Sequence, residues 1–479
     1  MKKKIPFILF TLLLYYPLLW AQGVGATQAP PIRNLEPIKK TDRILILAPH
    51  PDDETIGCAG IIQQAVKAGA DIHIIYLTNG DHNQFAFIVY EKRITFRKSE
   101  FIHMGQVRRK EAVMAMKLLG LEEKRLIFLG YPDFGTFAIF NQYWQEAKPF
   151  RSLLTRISRV PYKENLSFGA PYKGESILAD LKKILLAYKP NKIFVSHPAD
   201  VNVDHKTFYL FLQVALADLS RQMPQPKIYP YLIHCTGWPL PRHYHPELSL
   251  VPPKQFSDSQ AQWSQYRLSK ESLEKKYQAI LCYKSQTRSS AFYLFSFARQ
   301  NELFGDYPEI DLIPQQSDIA LKAQKQVESQ DRALSFFGAS SMFTDSGTGL
   351  LKNLDNLIET KGQVSYGLLG DSLLVRIDKT KRLNRRFSTL LYLFGYSRKT
   401  PFAQMPKMRI FTKHKRFKVF VGKKRVKAEG INLEINDRVL ILEIPLKILG
   451  EPDYILTSVK TYAGTLPIDA ISFRKINIR

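Results

Sequence analysis

Two short segments of the sequence concentrate the residue types that bind metals and move protons. The first is LAPHPDDETIGCAG, residues 47–60, in which His50 is followed by the carboxylates Asp52, Asp53 and Glu54. These carboxylates repel one another, so their burial requires a compensating positive charge. A divalent cation supplies that charge, since imidazole and carboxylate are ordinary zinc ligands.

The second segment is SHPADVNVDHK, residues 196–206, which contains another acidic–histidine pair ending in His205. In the first segment, His50 and Asp53 are three residues apart around a tight turn and could bind one ion. A catalytic zinc has three protein ligands and an open position, so His205 is the candidate third ligand. Asp52 would then be free to take a proton from the bound water as general base.

The alternative for the first segment is a capped helix start, in which Asp52 or Asp53 stabilises the helix dipole. The second acidic–histidine pair, which follows another predicted strand, favours the metal site. We predict one Zn²⁺ per chain, although two imidazoles and a carboxylate accept other divalent transition metals, including iron and cobalt.

The elements that must position these residues are short apolar strands that alternate with helices from residue 43 to about residue 210. This pattern predicts an α/β fold: a Rossmann-like parallel sheet with helices on both faces. The binding crevice of such a sheet lies at the carboxyl ends of its strands. His50, Asn79, Asp133 and His197 are all at or just beyond such ends.

Two further expectations concern the surroundings of this crevice. Small residues, Gly57, Ala59 and Gly60, should let the helix after the first strand pack close to the sheet. Segments 81–105 and 135–172 are predicted to be loops that overhang the crevice.

Four motifs resemble, in order, the PIG-L/LmbE family of zinc-dependent N-acetylglucosaminyl deacetylases: APHPDDETIGCAG, VRRKEAVMAMKLLG, FLGYPD and SHPADVNVDH. The resemblance covers roughly residues 42–305. It implies a Rossmann-like fold and removal of an N-acyl group from an amino sugar. The residues it assigns are the metal ligands His50, Asp53 and His205, the base Asp52, and the substrate-contacting Arg108. For Arg108, a solvated position or an ion pair with Glu111 is the alternative.

The chain departs from this family at one position. Many members have His-Pro-Asp-His where this chain has Asn-Val-Asp-His at 202–205, and the first histidine is assigned to the carbonyl or the leaving amine. Asn202 can donate a hydrogen bond to an oxyanion but cannot deliver a proton at neutral pH. The missing imidazole could be His234 or His197, while a core or loop role is the alternative for His234. Asp204 is expected to orient a neighbouring imidazole.

The N-terminus has the features of a secretory signal peptide, predicted as residues 1–26. A basic MKKK start precedes an apolar run of about 17 residues, and VGA precedes the expected cleavage after Ala26. Pro17 and the short run argue against a spanning helix, and an uncleaved membrane anchor is the alternative. The folded part is expected to be exported to the periplasm, the cell envelope or the medium.

Three segments are predicted after the signal peptide: a deacetylase-like domain at 27–309, a polar linker at 310–332, and an antiparallel β-sandwich at 333–479. Short alternating runs bounded by turns predict the sandwich. It resembles carbohydrate-binding sandwiches of the family 9-like type, in which a late aspartate, here Asp469, precedes the last strand. A sandwich that only stabilises or docks the enzyme is the alternative.

Positive charge is concentrated in the predicted sandwich. The whole chain carries a formal net charge of +26, and residues 333–479 hold 26 Lys and Arg against 12 Asp and Glu. Residues 407–427 hold ten basic residues and no acid. In an exported protein this charge favours anionic glycans or an envelope surface as partner, and not nucleic acid. A generally basic, solvated surface is the alternative.

The sequence therefore predicts an exported zinc deacetylase acting on N-acetylglucosamine in a glycoconjugate or cell-surface polysaccharide. A hydrolase of another amide is an alternative, because the ligand set activates water without selecting an acyl group. A catalytically lapsed, glycan-binding envelope protein is a second alternative, which Asn202 keeps open. The three cysteines are too few and too scattered for a disulfide framework or a cysteine-based zinc site.

Overall fold

The computed structural model describes most of the chain after the predicted signal peptide. The described ranges are 32–82, 97–256, 261–313, 330–332, 363–378, 387–413, 416–435, 438–463, 466–470 and 472–479. The predicted signal peptide, 1–26, lies outside these ranges. Within them, none of the helices combines the length and apolar character that crossing a membrane requires.

The N-terminal domain is built on an eight-stranded sheet. Its strands are β1 (Arg33–Asn34), β2 (Arg43–Ala48), β3 (Asp71–Thr78), β4 (Leu126–Tyr131), β5 (Lys192–Ser196), β6 (Lys227–Tyr231), β7 (Gln262–Arg267) and β8 (Asn301–Asp306). They lie in the order β1-β7-β8-β6-β5-β2-β3-β4. The five strands from β6 to β4 are parallel, as predicted, whereas β8 is antiparallel to both β6 and β7.

Helices cover both faces of this sheet. They are α1 (Asp53–Ala68), α2 (Lys98–Leu118), α3 (Thr136–Gln142), α4 (Gly174–Tyr188), α5 (Val203–Asp218), α6 (Lys270–Leu281) and α7 (Lys284–Leu294). In β2, Ile44 and Ile46 pack in one core with α1, α2 and α6, and Leu45 and Leu47 pack in the other with α3, α4 and α5. This two-sided burial explains why the parallel strands are nearly continuous apolar runs.

The close packing expected of α1 is present. A Cβ at Gly57 would lie 2.7 Å from the Tyr231 ring of β6, and one at Gly60 would lie 3.0 Å from Tyr266 of β7. A larger side chain would have to displace the buried ring of Tyr231 at Gly57, or the half-buried ring of Tyr266 at Gly60. The glycines of the first motif therefore set the distance between the helix and the sheet.

Two segments predicted as loops contain helix. In the first, α2 begins at Lys98, and its early turns bury only Phe101 and Met104, which pack in a small cluster against Leu154. In the second, α3 has seven residues, too few for a helix that is stable by itself. Both segments lack a long apolar face, so tertiary contacts determine their structure.

The C-terminal domain consists of two further sheets and has its own core. Its strands are β9 (Ile310–Leu312), β10 (Gln330–Arg332), β11 (Gln363–Leu369), β12 (Ser372–Asp378), β13 (Phe387–Tyr396), β14 (Lys407–Lys413), β15 (Arg416–Val421), β16 (Lys424–Val426), β17 (Asn432–Ile435), β18 (Val439–Pro445), β19 (Tyr454–Ala463), β20 (Leu466–Ala470) and β21 (Arg474–Ile478). The smaller sheet has the order β10-β11-β12-β18-β17, and the larger has β16-β15-β14-β13-β19-β21-β9 with β20 beside β19. The two sheets pack face to face, as expected of a sandwich.

The predicted linker at 310–332 has paired strands at both ends. β9 adds to the larger sheet in parallel with β21, and β10 pairs with β11 of the smaller sheet. These runs are too short and polar to be recognised as strands in the sequence. Residues 314–329 lie outside the described ranges.

The larger sheet also packs against the N-terminal domain. Its outer face carries aromatic side chains that share a core with α3 and α5. The Phe140 ring of α3 lies 5.2 Å from that of Phe394 and 4.9 Å from that of Phe211. The Lys407 ammonium group lies 3.9 Å from the Phe402 ring centre and 4.9 Å from that of Trp144. The short helix α3 is thus held between the two domains.

This shared core predicts that the domains unfold together. Replacing Phe394, which is fully buried, by alanine should lower the free energy of unfolding by about 3–5 kcal/mol, because it removes a ring from the core of both domains. In calorimetry the variant should keep one transition at a lower temperature. Phe168→Ala, at an exposed ring, is the control and should change stability by less than about 0.5 kcal/mol. Two separate transitions, of which only one moves, would contradict the shared core.

Candidate metal centre

The two motifs meet where the strand order of the parallel sheet reverses. β2 lies between β3 and β5, so the loops after β2 and β5 leave the sheet side by side at their carboxyl ends. This is the position at which open α/β sheets bind ligands. His50 and Asp53 follow β2, and His205 is in the first turn of α5, after β5.

Three side-chain atoms from these loops converge on one point. Asp53 Oδ2 lies 3.2 Å from His50 Nδ1 and 3.1 Å from His205 Nε2, and the two nitrogen atoms are 3.3 Å apart. All three residues are buried. In a tetrahedral site with bonds of about 2.0–2.1 Å, neighbouring ligand atoms are roughly 3.3 Å apart. The spacing of the three atoms therefore fits a zinc-sized ion.

The second nitrogen of each imidazole faces carboxylates. His50 Nε2 lies 3.1 Å from Asp133 Oδ1 and 3.3 Å from Asp204 Oδ2, and His205 Nδ1 lies 3.1 Å from Asp200 Oδ2. A carboxylate behind a ligating imidazole takes its N–H and leaves the other nitrogen free for a metal. Two other groups of side chains are also close enough to hold an ion. One is His50 with Asp133 and Asp204, and the other is Asp200 with His205 and His234. A neutral imidazole offers one lone pair, so an ion bound by the central trio leaves one N–H on each imidazole to face the carboxylates behind it.

Asp204 is held in place by the start of α3. Its carboxylate accepts hydrogen bonds from the Phe134 backbone N–H at 2.6 Å, from the Thr136 N–H at 3.3 Å and from the Thr136 hydroxyl group. The remaining contact of Asp204 is with His50, as described above. Asp204 thus lies where it can orient an imidazole, the role that the sequence suggested.

Asp52 lies beside the trio and pairs with Arg108. Arg108 Nη2 is 3.2 Å from Asp52 Oδ2 and donates to the Pro51 carbonyl at 2.7 Å, while Nη1 donates to the Gly80 carbonyl at 3.2 Å. Arg108 is buried, so it is not the solvated arginine considered above. Glu111, its other suggested partner, instead accepts hydrogen bonds from Ser285.

The backbone at Asp52 has a conformation that non-glycine residues rarely adopt, with φ of 126°. Such a conformation costs of order 1–3 kcal/mol and persists where the surroundings enforce it. The Asp52 side chain retains 11% exposure, more than those of Asp53 and His205. Asp52 is therefore the carboxylate of the first motif that can meet a molecule entering the crevice.

Burial and mutual repulsion shift the ionisation of these groups. Burial raises the pKa of Asp52 to about 8, against the opposing effect of Arg108. Burial also disfavours ionised Asp53, but the His205 and His50 imidazoles outweigh it and hold the pKa of Asp53 well below its ordinary value. For His50, burial is outweighed by the carboxylates, Asp133 first, and the pKa is raised. A bound dication would neutralise charge that the buried side chains leave unbalanced.

Asn202 has a structural role as the cap of α5. Its side-chain oxygen accepts a hydrogen bond from the Asp204 backbone N–H at 2.9 Å, and the Asn202 backbone N–H donates to Asp200 Oδ1 at 2.9 Å. Asparagine is among the residues preferred at this position. Because the oxygen is engaged, the amide N–H groups are what Asn202 can offer to a ligand.

The structure brings His234 to the metal centre from a different strand. His234 follows β6, and its ring meets that of His205 edge-on at 4.6 Å between ring centres. Its Nδ1 lies 3.2 Å from Asp200 Oδ1, and its backbone N–H donates to Asp200 Oδ2 at 2.9 Å. The side chain is 31% exposed although Nδ1 is fully buried, so the exposed edge is the opposite one.

His197, the other suggested imidazole, lies in the apolar core. Its Nδ1 accepts a hydrogen bond from the Ala199 N–H at 3.0 Å, and its ring stacks on Trp263 and contacts Phe256 and Tyr307. Burial lowers its pKa to about 3. These contacts make His197 a packing residue, and it does not join the central trio.

Sequence reasoning left two site residues without a role. Asp200 occurs in the second motif, and Asp133 ends the FLGYPD motif at a predicted strand end. In the sequence, the signal that pointed to both residues was their position just after a predicted strand. Their function became apparent only when the fold placed each carboxylate behind an imidazole.

The family comparison agrees with this geometry. Residues 45–216 match the PIG-L family model, described as GlcNAc-PI de-N-acetylase. These residues form a PIG-L domain. The matched segment contains all three converging residues and Asp52, and it ends before His234. No curated protein matches the chain.

Several solved structures resemble part of the chain. N,N'-diacetylchitobiose deacetylase from Pyrococcus horikoshii is 18% identical, with 56% of this chain and 84% of that chain covered and a TM-score of 0.33. A conserved protein from Thermus thermophilus is 20% identical (52% and 81% covered, TM-score 0.31). The 4-carboxy-2-hydroxymuconate hydratase from Pseudomonas putida is 16% identical (56% and 97% covered, TM-score 0.33). Similarities this distant do not identify a reaction for this chain.

Asp200 provides a test of the centre that does not depend on turnover. We expect Asp200→Asn to weaken zinc binding by about 10–100-fold, because a neutral amide lacks the negative charge by which Asp200 raises the basicity of the His205 imidazole. Competition with a chromogenic chelator measures the affinity. Glu164→Asn, at an exposed loop position, is the control and should bind zinc as the wild type does. Unchanged affinity in Asp200→Asn would remove His205 Nε2 from the ligand set.

Proposed function

We propose that the protein is an exported, zinc-dependent deacetylase that hydrolyses the N-acetyl group of N-acetylglucosamine in a glycoconjugate or cell-surface polysaccharide. The observation that carries the proposal is the convergence of His50, Asp53 and His205 within 3.3 Å of one another inside a PIG-L domain. The description of the matching family model, a de-N-acetylase, supports the acetamide as the bond that is cleaved.

The chemistry requires an electrophilic centre in the crevice. His50, Asp53 and His205 would hold the divalent cation, which we propose to be zinc. When bound, the cation would supply Lewis acidity that lowers the pKa of water and polarises the acetamide carbonyl group. The carboxylates behind the two imidazoles would fix the tautomer that directs the other nitrogen at the cation, and they raise the basicity of that nitrogen.

Asp52 is the proposed general base. Its carboxylate removes a proton from water, and the water oxygen forms the new C–O bond with the acetamide carbon. The paired Arg108 fixes the orientation of this carboxylate through hydrogen bonds to two backbone carbonyl groups. Arg108 can also contact a substrate oxygen, which is the role that the family resemblance assigns to it.

His234 is the proposed acid for the leaving group. When the C–N bond breaks, the nitrogen needs a proton, and the products are acetate and a free amine. Because Nδ1 of His234 is buried 3.2 Å from Asp200 Oδ1, Nε2 is the nitrogen that would exchange a proton with substrate. Asn202 supplies amide N–H groups that can donate to the oxyanion.

Asp52→Asn tests this assignment. The variant should keep its zinc, because Asp52 is outside the ligand trio, and lose turnover by at least about a hundredfold, because the amide cannot accept the proton. Zinc is measured by elemental analysis, and turnover by amine release from N-acetylchitohexaose. Glu164→Gln, at an exposed carboxylate, should retain both properties.

The same measurements separate the alternatives. Unchanged turnover in Asp52→Asn would remove this residue from the mechanism. A wild-type protein that binds zinc but releases no amine would act on a different amide. A protein with neither zinc nor amine release would fit the lapsed, glycan-binding alternative and would contradict the proposed function.

Export is part of the proposal and rests on the composition of residues 1–26. The mature protein, recovered from the cell envelope or the medium, should begin at Thr27, because the small residues of VGA suit signal peptidase. N-terminal sequencing checks this. A membrane-bound protein that retains the apolar run would support the uncleaved anchor instead.

A further inference from the structure

The larger sheet of the C-terminal domain has an outer face that the N-terminal domain covers only in part. On β13 and β14, Leu391, Leu393 and Ile410 point into the sandwich core. The alternate residues, which include Phe394 and Lys407, point outward and pack against α3 and its flanking residues. Toward β15 and β16 the same outer face carries exposed side chains.

The exposed part of this face is rich in cations interleaved with aromatic rings. The strand register places Lys413 opposite Arg416, Phe411 opposite Lys418, and Phe420 opposite Arg425. All four cations are exposed, and both rings are half-buried. We call this set the cationic face: Lys413, Arg416, Lys418 and Arg425 with Phe411 and Phe420.

Within the described part of the chain, no ion pair joins a cation of the cationic face to a carboxylate. Like charges directly across a strand pair, as at Lys413 and Arg416, destabilise a sheet. Among the described residues, the ion pairs of the C-terminal domain involve other cations: Arg376, Lys475 and Arg479. An anionic partner would remove this repulsion, which gives the face an electrostatic preference.

The cationic face is continuous with the elements of the metal centre. Phe411 is opposite Leu390 of β13, and Leu390 is opposite Lys460 of β19. The Lys460 ammonium group lies 6.0 Å from the ring centre of Phe137, the second residue of α3. The preceding residue, Thr136, holds Asp204 against His50. One end of α3 thus lies between the face and the centre.

We propose that the cationic face binds anionic groups of the same polysaccharide whose amino sugars enter the metal centre, an inference that rests on the proposed function. The interleaved rings offer flat apolar contact for sugar rings, and the cations pair with carboxylate or phosphate groups along the polymer. A second contact on one chain raises the local concentration of its amino sugars at the centre.

The test uses the full chain and a neutralised face. The triple variant Lys413→Gln/Arg416→Gln/Lys418→Gln should bind hyaluronan, an anionic N-acetylglucosamine polymer, about tenfold more weakly than the wild type at low ionic strength. Amine release from the neutral N-acetylchitohexaose should not change. The matched control is Lys110→Gln/Lys117→Gln/Lys183→Gln, which removes the same charge from exposed helix positions of the other domain and should bind hyaluronan as the wild type does.

Equal hyaluronan affinity in the two triple variants would overturn the proposal. The proposal would also be overturned if the face variant bound phosphatidylglycerol vesicles more weakly than the wild type but bound hyaluronan equally well. That result would favour a lipid surface as the partner. Binding is measured separately from turnover. Suppose that the wild type releases no amine, and that the face variant, but not the control variant, binds hyaluronan more weakly. That result would contradict the proposed function but would still support anion binding by the cationic face.

Discussion

The burial of many carboxylates around two imidazoles is the constraint on which the site depends. Asp52, Asp53, Asp133, Asp200 and Asp204 are each at most 8% exposed, and in the described part of the chain Arg108 is the one arginine or lysine that forms an ion pair with them. Such an arrangement is costly unless a further positive charge is present. The buried carboxylates gather at the carboxyl ends of β2 and β5, where the strand order reverses. A dication held there would stabilise both the loops and the sheet edge that carries them.

The second domain bears on this centre through α3. The helix is too short to be stable by itself, and its position is set by the aromatic core that it shares with the larger sheet of the sandwich. Its first residue, Thr136, fixes Asp204, and Asp204 in turn contacts Nε2 of His50. A displacement of the sandwich would therefore move a carboxylate that orients a metal-facing imidazole. The two domains have separate sheets, but the position of α3 at the site depends on both of them.

The sequence predicted the parallel part of the sheet and the convergence of His50, Asp53 and His205, because strand periodicity is local and parallel strands end at one edge. It did not predict the strand β7, the antiparallel strand β8 or the helix α3, since tertiary packing determines all three. The roles of Asp133 and Asp200 also remained hidden, because an aspartate after a strand looks the same whether it binds an ion or orients a histidine. Those roles depend on which nitrogen of an imidazole each carboxylate meets.

Asp200 contacts both His205 and His234, which come from different parts of the sequence. One oxygen lies 3.1 Å from His205 Nδ1 and the other 3.2 Å from His234 Nδ1, so a single carboxylate positions a ligand imidazole and the candidate acid. Asn202, at the position where many members of the resembling family have histidine, caps α5 and donates its backbone N–H to the same carboxylate. An imidazole from the end of β6 can therefore replace the missing one without a new orienting group, because Asp200 already faces both. A change that rotates Asp200 would therefore alter both the proposed ligand geometry and the proposed proton delivery, so the two proposed roles are coupled through one carboxylate.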